Sequence, residues 1–346
     1  MKSRAVIAMS GGVDSSVAAY LMKQEGFDCV GVTLRLHGGG ERDIEDAAAV
    51  CARLGIPHRV LDLRDEFEKL VIGKFVREYE GGRTPNPCID CNREIKFGKL
   101  FEAARQLGAE KVATGHYVLL ERRPEDGRYL LRRASDRAKD QTYVLYSLTQ
   151  EQLAMAAFPL SGLAKEDVRA VAEREGFINA RKPESQDICF VDGGYADFIG
   201  AYTGREPEPG DFVDESGRVL GRHRGIVRYT IGQRRGLGLA LKKPMYVVRK
   251  DAARNEVVLG YEENLYTDTL RAGDVNWIAF GRLPDGGIRC SAATRYRKPE
   301  QPCTVTPGTD PDSIDVKFDV PQRAVTAGQA VVFYDGGLLL GGGTIL

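Results

Sequence analysis

Three short stretches hold the residue types best suited to chemistry. The first is Ser10-Gly11-Gly12-Val13-Asp14-Ser15-Ser16, set between an apolar run, Ala5 to Met9, and a helical pattern, Asp14 to Glu25, closed by Gly26. Two glycines let the backbone approach an anion closely, and a helix N-terminus aims free N–H groups at it. Ser10, Ser15 and Ser16 add hydroxyl donors. This composition describes a phosphate cradle rather than a plain glycine turn capped by Asp14. The chain has no G-x-x-x-x-G-K-[ST], and no G-x-G-x-x-G sits at this turn, so it is neither a Walker loop nor a dinucleotide fingerprint.

The second stretch is Thr84-Pro85-Asn86-Pro87-Cys88-Ile89-Asp90-Cys91-Asn92-Arg93-Glu94-Ile95-Lys96-Phe97. Its two prolines predict an extended lead-in, with Cys91 at or just before a helix start, where the helix dipole favours a thiolate. A lone C-x-x-C is also half of a zinc knuckle, but zinc needs four ligands and no second C-x-x-C or His pair is present. The third stretch holds Cys189 within Ser185-Gln186-Asp187-Ile188-Cys189-Phe190. Cys29 and Cys51 lie in apolar periodic runs and read as core packing. Nothing marks Cys290 or Cys303 as reactive. His37-Gly38-Gly39-Gly40 reads as a flexible loop, since no G-x-S-x-G elbow accompanies it. His58 reads as a strand-edge residue, and Trp277 as either core or a stacking platform.

The elements that must position these residues alternate. Apolar runs at Ala5 to Met9, Cys29 to Leu34, Arg59 to Leu63 and Lys111 to Thr114 are separated by helical patterns at Asp14 to Glu25, Ile44 to Leu54, Glu66 to Tyr79 and Glu94 to Leu107. Such alternation predicts an α/β fold with a doubly wound parallel sheet, whose ligands sit beyond the carboxyl ends of its strands. Beyond Thr114 the texture changes. Tyr117 to Arg133 reads as a hairpin turning at Glu125-Asp126-Gly127, and two helical segments follow, Gln150 to Ala157 and Lys165 to Glu175. From about Tyr202 the chain is rich in Gly, Pro and Arg, and from about Arg271 it reads as the short strands of a small barrel. The expected units are residues 1–200, 201–271 and 272–346.

The 346 residues carry 49 Lys+Arg against 49 Asp+Glu, so the formal net charge is zero. That balance hides an asymmetry. From Ser216 to Lys250 there is no acidic residue but ten basic ones: Arg218, Arg222, Arg224, Arg228, Arg234, Arg235, Lys242, Lys243, Arg249 and Lys250. A one-signed block of this kind is either a solvated face or a footprint for a phosphate backbone. His223 lies within it. With 42% hydrophobic and 28% charged residues the composition is that of a globular protein, which excludes disorder, collagen and coiled coil. No apolar run is long enough to cross a membrane, no signal-peptide anatomy is present, and seven cysteines do not resemble a secreted disulfide framework. The expectation is a cytoplasmic protein with no membrane partner.

The SGGxDS turn resembles the PP-loop of the ATP pyrophosphatases, which grips the pyrophosphate end of ATP. The resemblance then becomes specific. The PP-loop, TPNPCIDCNREIKF, ATGHY (Ala113 to Tyr117), KDQTYVLYSL (Lys139 to Leu148) and ESQDICFV (Glu184 to Val191) stand in the order found in tRNA-specific 2-thiouridylases. YTIGQRRGLG (Tyr229 to Gly238), TRYR (Thr294 to Arg297) and AVTAGQAVVFYDGG (Ala324 to Gly337) extend it nearly end to end. The resemblance implies a PP-loop domain, a small β-rich central domain and a C-terminal β-barrel. It also implies an ATP-dependent enzyme that thiolates C2 of the wobble uridine, with Mg²⁺ assisting pyrophosphate departure.

Carried over by motif, Cys189 matches the persulfide-bearing cysteine, and Cys91 the partner that releases its sulfur and ends in a disulfide with it. Ala8, Met9, Ser10, Gly11, Gly12, Val13, Asp14, Ser15, Leu34 and Gly115 match ATP-contact positions. Asn86, Pro87 and Cys88 match the target-base segment, while His116, Lys139, Asp140, Gln141, Arg295, Tyr296 and Gln329 match tRNA-contact positions. The implied partners are the anticodon region of tRNA and a sulfur donor, either a protein or inorganic sulfide. One departure stands out. Many members have an acidic residue where this chain has Cys88, and Asp90 is adjacent to that position but points differently in an extended segment. Cys88, Cys91 and Cys189 therefore leave two routes open: the persulfide, or a [4Fe-4S] cluster on three thiolates with one open iron, as in related cluster-dependent tRNA thiolases. A PP-loop ligase or amidotransferase acting on a small molecule is the alternative activity.

Overall fold

A computed structural model describes residues 2–183, 188–310 and 312–346. The four residues Glu184 to Asp187, which open the ESQDICFV motif, lie outside the described residues. In chain order the N-terminal half supplies β1 (Arg4–Ala8), β2 (Asp28–Arg35), β3 (His58–Asp62), β4 (Lys111–Ala113), the hairpin β5 (Val118–Arg122) and β6 (Tyr129–Arg133), and the short β7 (Ala156–Ala157). Five of these form a parallel sheet in the order β3-β2-β1-β4-β7. Ala5, Val6 and Ile7 of β1 have no exposed surface. A strand buried on both faces reads as an unbroken apolar run, as this one does.

Helices α1 (Val13–Gln24) and α2 (Glu41–Leu54) cover one face of the sheet, burying Val17, Ala18, Met22, Val50 and Cys51 against Ala5 and Ile7. The other face packs Val6 and Val112 on Phe97, Phe101 and Leu145. The chain runs outward from β1 to β3 and then returns to place β4 on the far side of β1. This reversal is the switch point, where the loops after β1 and β4 face each other and open a crevice.

The middle of the chain forms a second sheet from β8 (Gly210–Asp214), β9 (Val219–His223), β10 (Tyr246–Asp251) and β11 (Glu256–Gly260), ordered β10-β11-β8-β9. Phe212, Val247 and Val257 pack there on Phe75, Val76 and Tyr79 of the helix Gly73–Glu80. Strands β12 (Tyr266–Trp277), β13 (Ile288–Ala293), β14 (Gln301–Pro307), β15 (Ile314–Arg323), β16 (Ala330–Asp335) and β17 (Leu338–Ile345) close into a six-stranded barrel through the β12–β17 pairing. Its core includes Val305, Val316, Phe318 and Phe333.

The hairpin expected at 117–133 is present, but it does not belong to the parallel sheet. Strand β6 pairs with β17, Leu131 opposite Leu339, so the N-terminal half donates two strands to the barrel sheet. His58 lies on the edge strand β3 and shares a 2.8 Å hydrogen bond with Thr33. The Trp277 ring stacks on Phe333 at 5.5 Å and packs on Phe280 at 4.8 Å, which makes it part of the core rather than an open platform. Among the described residues no helix is long and apolar enough to cross a membrane.

Candidate active site

The Ser10–Ser16 turn connects the C-terminal end of β1 to α1, as the strand–turn–helix reading requires. Gly11 has φ +71°, and a Cβ there would collide with the Asp43 backbone at the start of α2. Ser15 Oγ accepts from the Ser10 N–H and hydroxyl at 3.1 Å and donates to the Gly12 carbonyl at 3.0 Å. Ser16 Oγ donates to the same carbonyl. These bonds curl the loop so that it is formed without a ligand. Met9 and Val13 turn their side chains into the core and leave only backbone to the crevice. Gly115 follows β4, and a Cβ there would stand 2.9 Å from Asp14 and from the Ser15 nitrogen. Glycine is therefore required where the two switch-point loops meet.

Two lysines not singled out by their spacing secure this loop. Lys165 Nζ bonds both carboxylate oxygens of Asp14, at 2.7 and 2.8 Å, and the Tyr117 hydroxyl donates to Asp14 at 2.7 Å. Lys182 Nζ reaches the Gly11 carbonyl at 3.2 Å, Asp43 at 2.6 Å and Asp46 at 2.5 Å. Burial alone would push the Lys182 ammonium down, but the two carboxylates hold it above the usual lysine value. Asn179 adds bonds of 2.9 Å to the Gly11 carbonyl and Ser16 Oγ. Only the fold brings residues so far along the chain to the loop, and no local signal marked them.

In the second stretch, Asn86 caps a first helical turn, Pro87–Asp90, by accepting from the Cys88 N–H at 3.2 Å, with Pro87 at the first helical position. The helix then widens over Cys91–Lys99 into i→i+5 turns before Leu100–Gln106 resumes the normal pitch. Wide turns set residue i+5 about one turn above residue i, so Lys96 comes over Cys91. Ordinary helical pitch would place them about 140° apart around the axis.

The sequence predicts Cys91 at or just before a helix start, but the helix begins at Pro87 and Cys91 lies one turn inside it, past the free N–H groups, where burial governs its thiol. Its thiol is 7% exposed and is pushed up to about 11, with Lys96 the main influence pulling it back. Cys189 is exposed, yet the protein crowding it also raises its thiol, again opposed first by Lys96. Cys88 is exposed. The residues flanking Cys189, Ile188 and Phe190, pack on the same cluster as Cys91. Asp90 faces elsewhere. It pairs with Lys74 at 2.7 Å in a separate cavity, and burial raises its carboxyl despite that lysine.

A cavity of about 470 Å³ joins the PP-loop to Cys88 and Ile188, though neither Cys91 nor Cys189 is among its lining residues. Ala8, Ser10, Asp14, Ser15 and Gly115 line it from the switch point, and Asn86 and Cys88 from the cysteine helix. His116, Lys139 and Gln141 line it from the loops after β4 and β6, and Tyr296 from the barrel. Asn92, Lys96 and Arg297 also line it, and sequence reading did not select them. His116 is buried against Phe97 and Phe158 and bonded to Thr114 Oγ1 at 2.8 Å. Burial, with Lys96, holds its imidazole well below the usual value and keeps it neutral.

Other expected contact residues serve the framework around this cavity. Leu34 packs between two core clusters. Asp140 accepts from the Ala134 N–H and the Thr142 hydroxyl, at 3.1 and 2.6 Å. Arg295 points inward to Ala324 and Thr326, and Gln329 donates to the Thr84 carbonyl. As placed, no group of three His, Cys, Asp or Glu side chains among the described residues could hold a metal ion.

The basic block is divided. Arg218, Arg222, Arg228 and Arg249 pair with Asp214, Asp211, Asp197 and Asp251. Lys250 is half-buried, and desolvation lowers its ammonium to about 8. His223 is buried against Phe212 and Tyr229 and bonds the Gly225 N–H at 3.0 Å, so it organises the central sheet rather than meeting phosphate. Arg224, Arg234, Arg235, Lys242 and Lys243 remain exposed.

Comparison with known proteins agrees with this architecture. Residues 3–193 match the tRNA methyl transferase HUP domain, residues 196–261 the tRNA methyl transferase PRC-barrel domain, and residues 267–345 the aminomethyltransferase beta-barrel domain. The tRNA-specific 2-thiouridylase MnmA of Lachnoclostridium phytofermentans is 46% identical, with 99% of each chain covered. That of Geotalea uraniireducens is 48% identical over 99% of this chain and 95% of its own. The tRNA-specific 2-thiouridylase MnmA 1 of Thermoanaerobacter sp. (strain X514) is 48% identical over 99% of this chain and 98% of its own. With a PP-loop at the switch point of its parallel sheet, Cys88 on the cavity that this loop lines, and such relatives along its whole length, the chain belongs to the tRNA-specific 2-thiouridylase MnmA family.

Proposed function

We propose that this protein is an ATP-dependent tRNA uridine 2-sulfurtransferase. The observation that carries the reading is the single cavity bounded by Ser10, Asp14 and Gly115 on one side and by Asn86, Cys88 and Lys139 on the other. A nucleotide and an RNA base brought to those two sides would meet. The C2 oxygen of uridine is a poor leaving group. Its attack on the α-phosphorus of ATP expels pyrophosphate, for which the N–H groups at the start of α1 are the donors. Mg²⁺ would neutralise charge on that leaving group, and Asp14, which lines the cavity, is the residue that would hold it.

For sulfur delivery the arrangement favours the persulfide. The Cys91 thiolate attacks the inner sulfur of a Cys189 persulfide, a Cys91–Cys189 disulfide forms, and hydrosulfide leaves. Hydrosulfide adds to C2, and AMP departs with the former uridine oxygen. An external dithiol must reduce the disulfide before the next turn. The target base must leave the anticodon stack to enter the cavity. Neutral His116, Lys139, Gln141 and Tyr296 are positioned to receive it, with Arg295, Asp140 and Gln329 holding the surrounding frame. In this reading residues 1–200 bind ATP and carry the chemistry, 201–271 supply basic RNA contacts, and 272–346 complete the cavity. The tRNA substrate and the reducing step place the work in the cytoplasm. Nucleoside mass spectrometry of tRNA from a deletion strain tests it: 2-thiouridine disappears if the assignment holds, and its persistence rejects it.

A further inference from the structure

Cys290 and Cys303 stand directly opposite each other on β13 and β14, neighbouring antiparallel strands of the barrel. Opposed residues in such a pair have Cα atoms about 4.5–5.5 Å apart, inside the roughly 4.4–6.8 Å that a disulfide spans. Both belong to the barrel core with Val305, Val316, Phe318 and Phe333. Their sulfurs lie 3.7 Å apart and share a hydrogen bond. That is contact between two thiols, well beyond the bond of about 2.05 Å in a disulfide. The sulfur-transfer chemistry makes no use of either residue. Nothing in the sequence around them marks the pair, because only the register of β13 on β14 brings them together.

The two thiols are unequal. The hydrogen bond from Cys290 sets the Cys303 thiol below its ordinary value against the effect of burial, and the Arg289 guanidinium acts in the same direction. The same bond, together with burial, pushes the Cys290 thiol up. One sulfur thus keeps a proton while its neighbour gives one up more readily, which suits attack on an oxidant followed by resolution. Cys290 keeps 9% of its surface exposed and Cys303 none, so only a small uncharged reagent reaches the sulfurs.

We propose that Cys290 and Cys303 form an oxidation site, a dithiol that hydrogen peroxide closes into a disulfide joining β13 to β14. The thiolate of the pair attacks one peroxide oxygen: an S–O bond forms, the O–O bond breaks, and hydroxide leaves to take up the proton that the thiol gave away. The other sulfur attacks the resulting sulfenic sulfur. An S–S bond forms, the S–O bond breaks, and water departs with the remaining proton. Two thiols are oxidised, and one peroxide is reduced to two waters. An external dithiol reverses the step by exchange. The link joins residues 13 positions apart, which narrows the unfolded ensemble and fixes the β13–β14 hairpin. This site is independent of the 2-thiouridylase reading, and either can fail alone.

The test uses the full chain carrying Cys88→Ser, Cys91→Ser and Cys189→Ser, so that oxidation elsewhere does not compete. It is treated with hydrogen peroxide, unfolded in N-ethylmaleimide, digested without reductant and read by mass spectrometry. A peptide pair joined through Cys290 and Cys303 is expected, two hydrogens lighter than the separate thiols, and dithiothreitol should restore both thiols. Oxidation should raise the melting temperature by about 2–5 °C. Adding Cys303→Ser should abolish the link and the rise; the linked peptide is read on the parent chain and stands even where that variant fails to fold. Alkylation of both cysteines after peroxide, or their separate conversion to sulfinic acids, overturns the proposal. A link with no rise in melting temperature would mean that the bond forms only in unfolded chain, and overturns it equally.

Discussion

Gln329 Nε2 donates a 2.6 Å hydrogen bond to the Thr84 carbonyl, joining residues 245 positions apart. The Thr84 N–H returns a 2.9 Å bond to the Ala327 carbonyl. Between them Gly328, at φ +88°, comes so close that a Cβ would stand 3.0 Å from the Arg83 Cβ and the Thr84 nitrogen. A turn of the barrel thus clamps the segment leading into Asn86, Pro87 and Cys88. Replacing Gly328 by Ala should destabilise the protein by about 1–3 kcal/mol, from left-handed strain and crowding. Gln329→Ala should cost about 1 kcal/mol. Calorimetry measures both, and thiolation should fall further than ATP affinity. Wild-type stability in Gly328→Ala would refute the clamp.

Asp14 lines the cavity on the PP-loop side, and Lys165 and Tyr117 fix its direction. Asp14→Ala should reduce AMP release by at least 100-fold. Lys165→Met should leave Asp14 misdirected and cost about 1–3 kcal/mol, since a nearly buried pair loses one partner. Radiolabelled ATP with thin-layer detection of AMP reads the first effect and thermal unfolding the second. Normal AMP formation by Asp14→Ala would show that the loop does not activate ATP.

Burial raises the Cys91 thiol to about 11 and the Cys189 thiol in the same direction. Below these values the thiolate fraction grows about tenfold per pH unit. Single-turnover sulfur release should therefore climb through pH 7–9 rather than level off. Lys96→Met removes the cation that most opposes both shifts, and should lower the rate at pH 8 about tenfold while displacing the profile to higher pH with its slope unchanged. The linked stability has a fixed sign: a raised thiol value contributes stability below the ordinary value near 9.0, which is lost as pH rises towards 11. A rate already flat at pH 7 would show that sulfur release is not thiolate-limited.

The basic block offers an internal comparison. Reversing charge at exposed Arg234 and Arg235 should weaken tRNA binding about tenfold and reduce its salt slope by one to two. Reversal at Arg218 and Arg222, whose heads already face Asp214 and Asp211, should do less. Filter binding across a salt series distinguishes them, and equal effects would mean the ion pairs open on binding.

Iron decides the sulfur route. Anaerobically purified protein should be active without iron or acid-labile sulfide, and Cys88→Ala should retain most activity. Cys91→Ser and Cys189→Ser should each abolish turnover. Stoichiometric iron that is lost together with activity in Cys88→Ala would replace the persulfide with a cluster.

Local chemistry was legible in the sequence because it is written in adjacent residues. The glycines and serines of the PP-loop and the hairpin turn appear where their residue types place them. What needed the third dimension was convergence. Nothing near Lys165 or Lys182 announces Asp14 or Gly11, and nothing near Lys96 announces helical turns wide enough to bring it over Cys91. The dipole argument for a reactive Cys91 failed because Asn86 and Pro87 start the helix a turn early, which leaves Cys91 inside it and buried. The ten basic residues read as uniform because their acidic partners lie just outside the block, Asp197, Asp211 and Asp214 before it and Asp251 after it.

The β5–β6 ribbon also binds the two ends of the molecule into one folding unit. A fragment ending before β17 would leave β6 with an unpaired row of backbone donors and acceptors, including those of Leu131 and Arg132. Bare strand edges recruit other chains. Truncation at that point should thus produce a self-associating species rather than a monomeric ATP-binding module, and during synthesis the ribbon must wait, protected or shielded, until the last strand emerges from the ribosome.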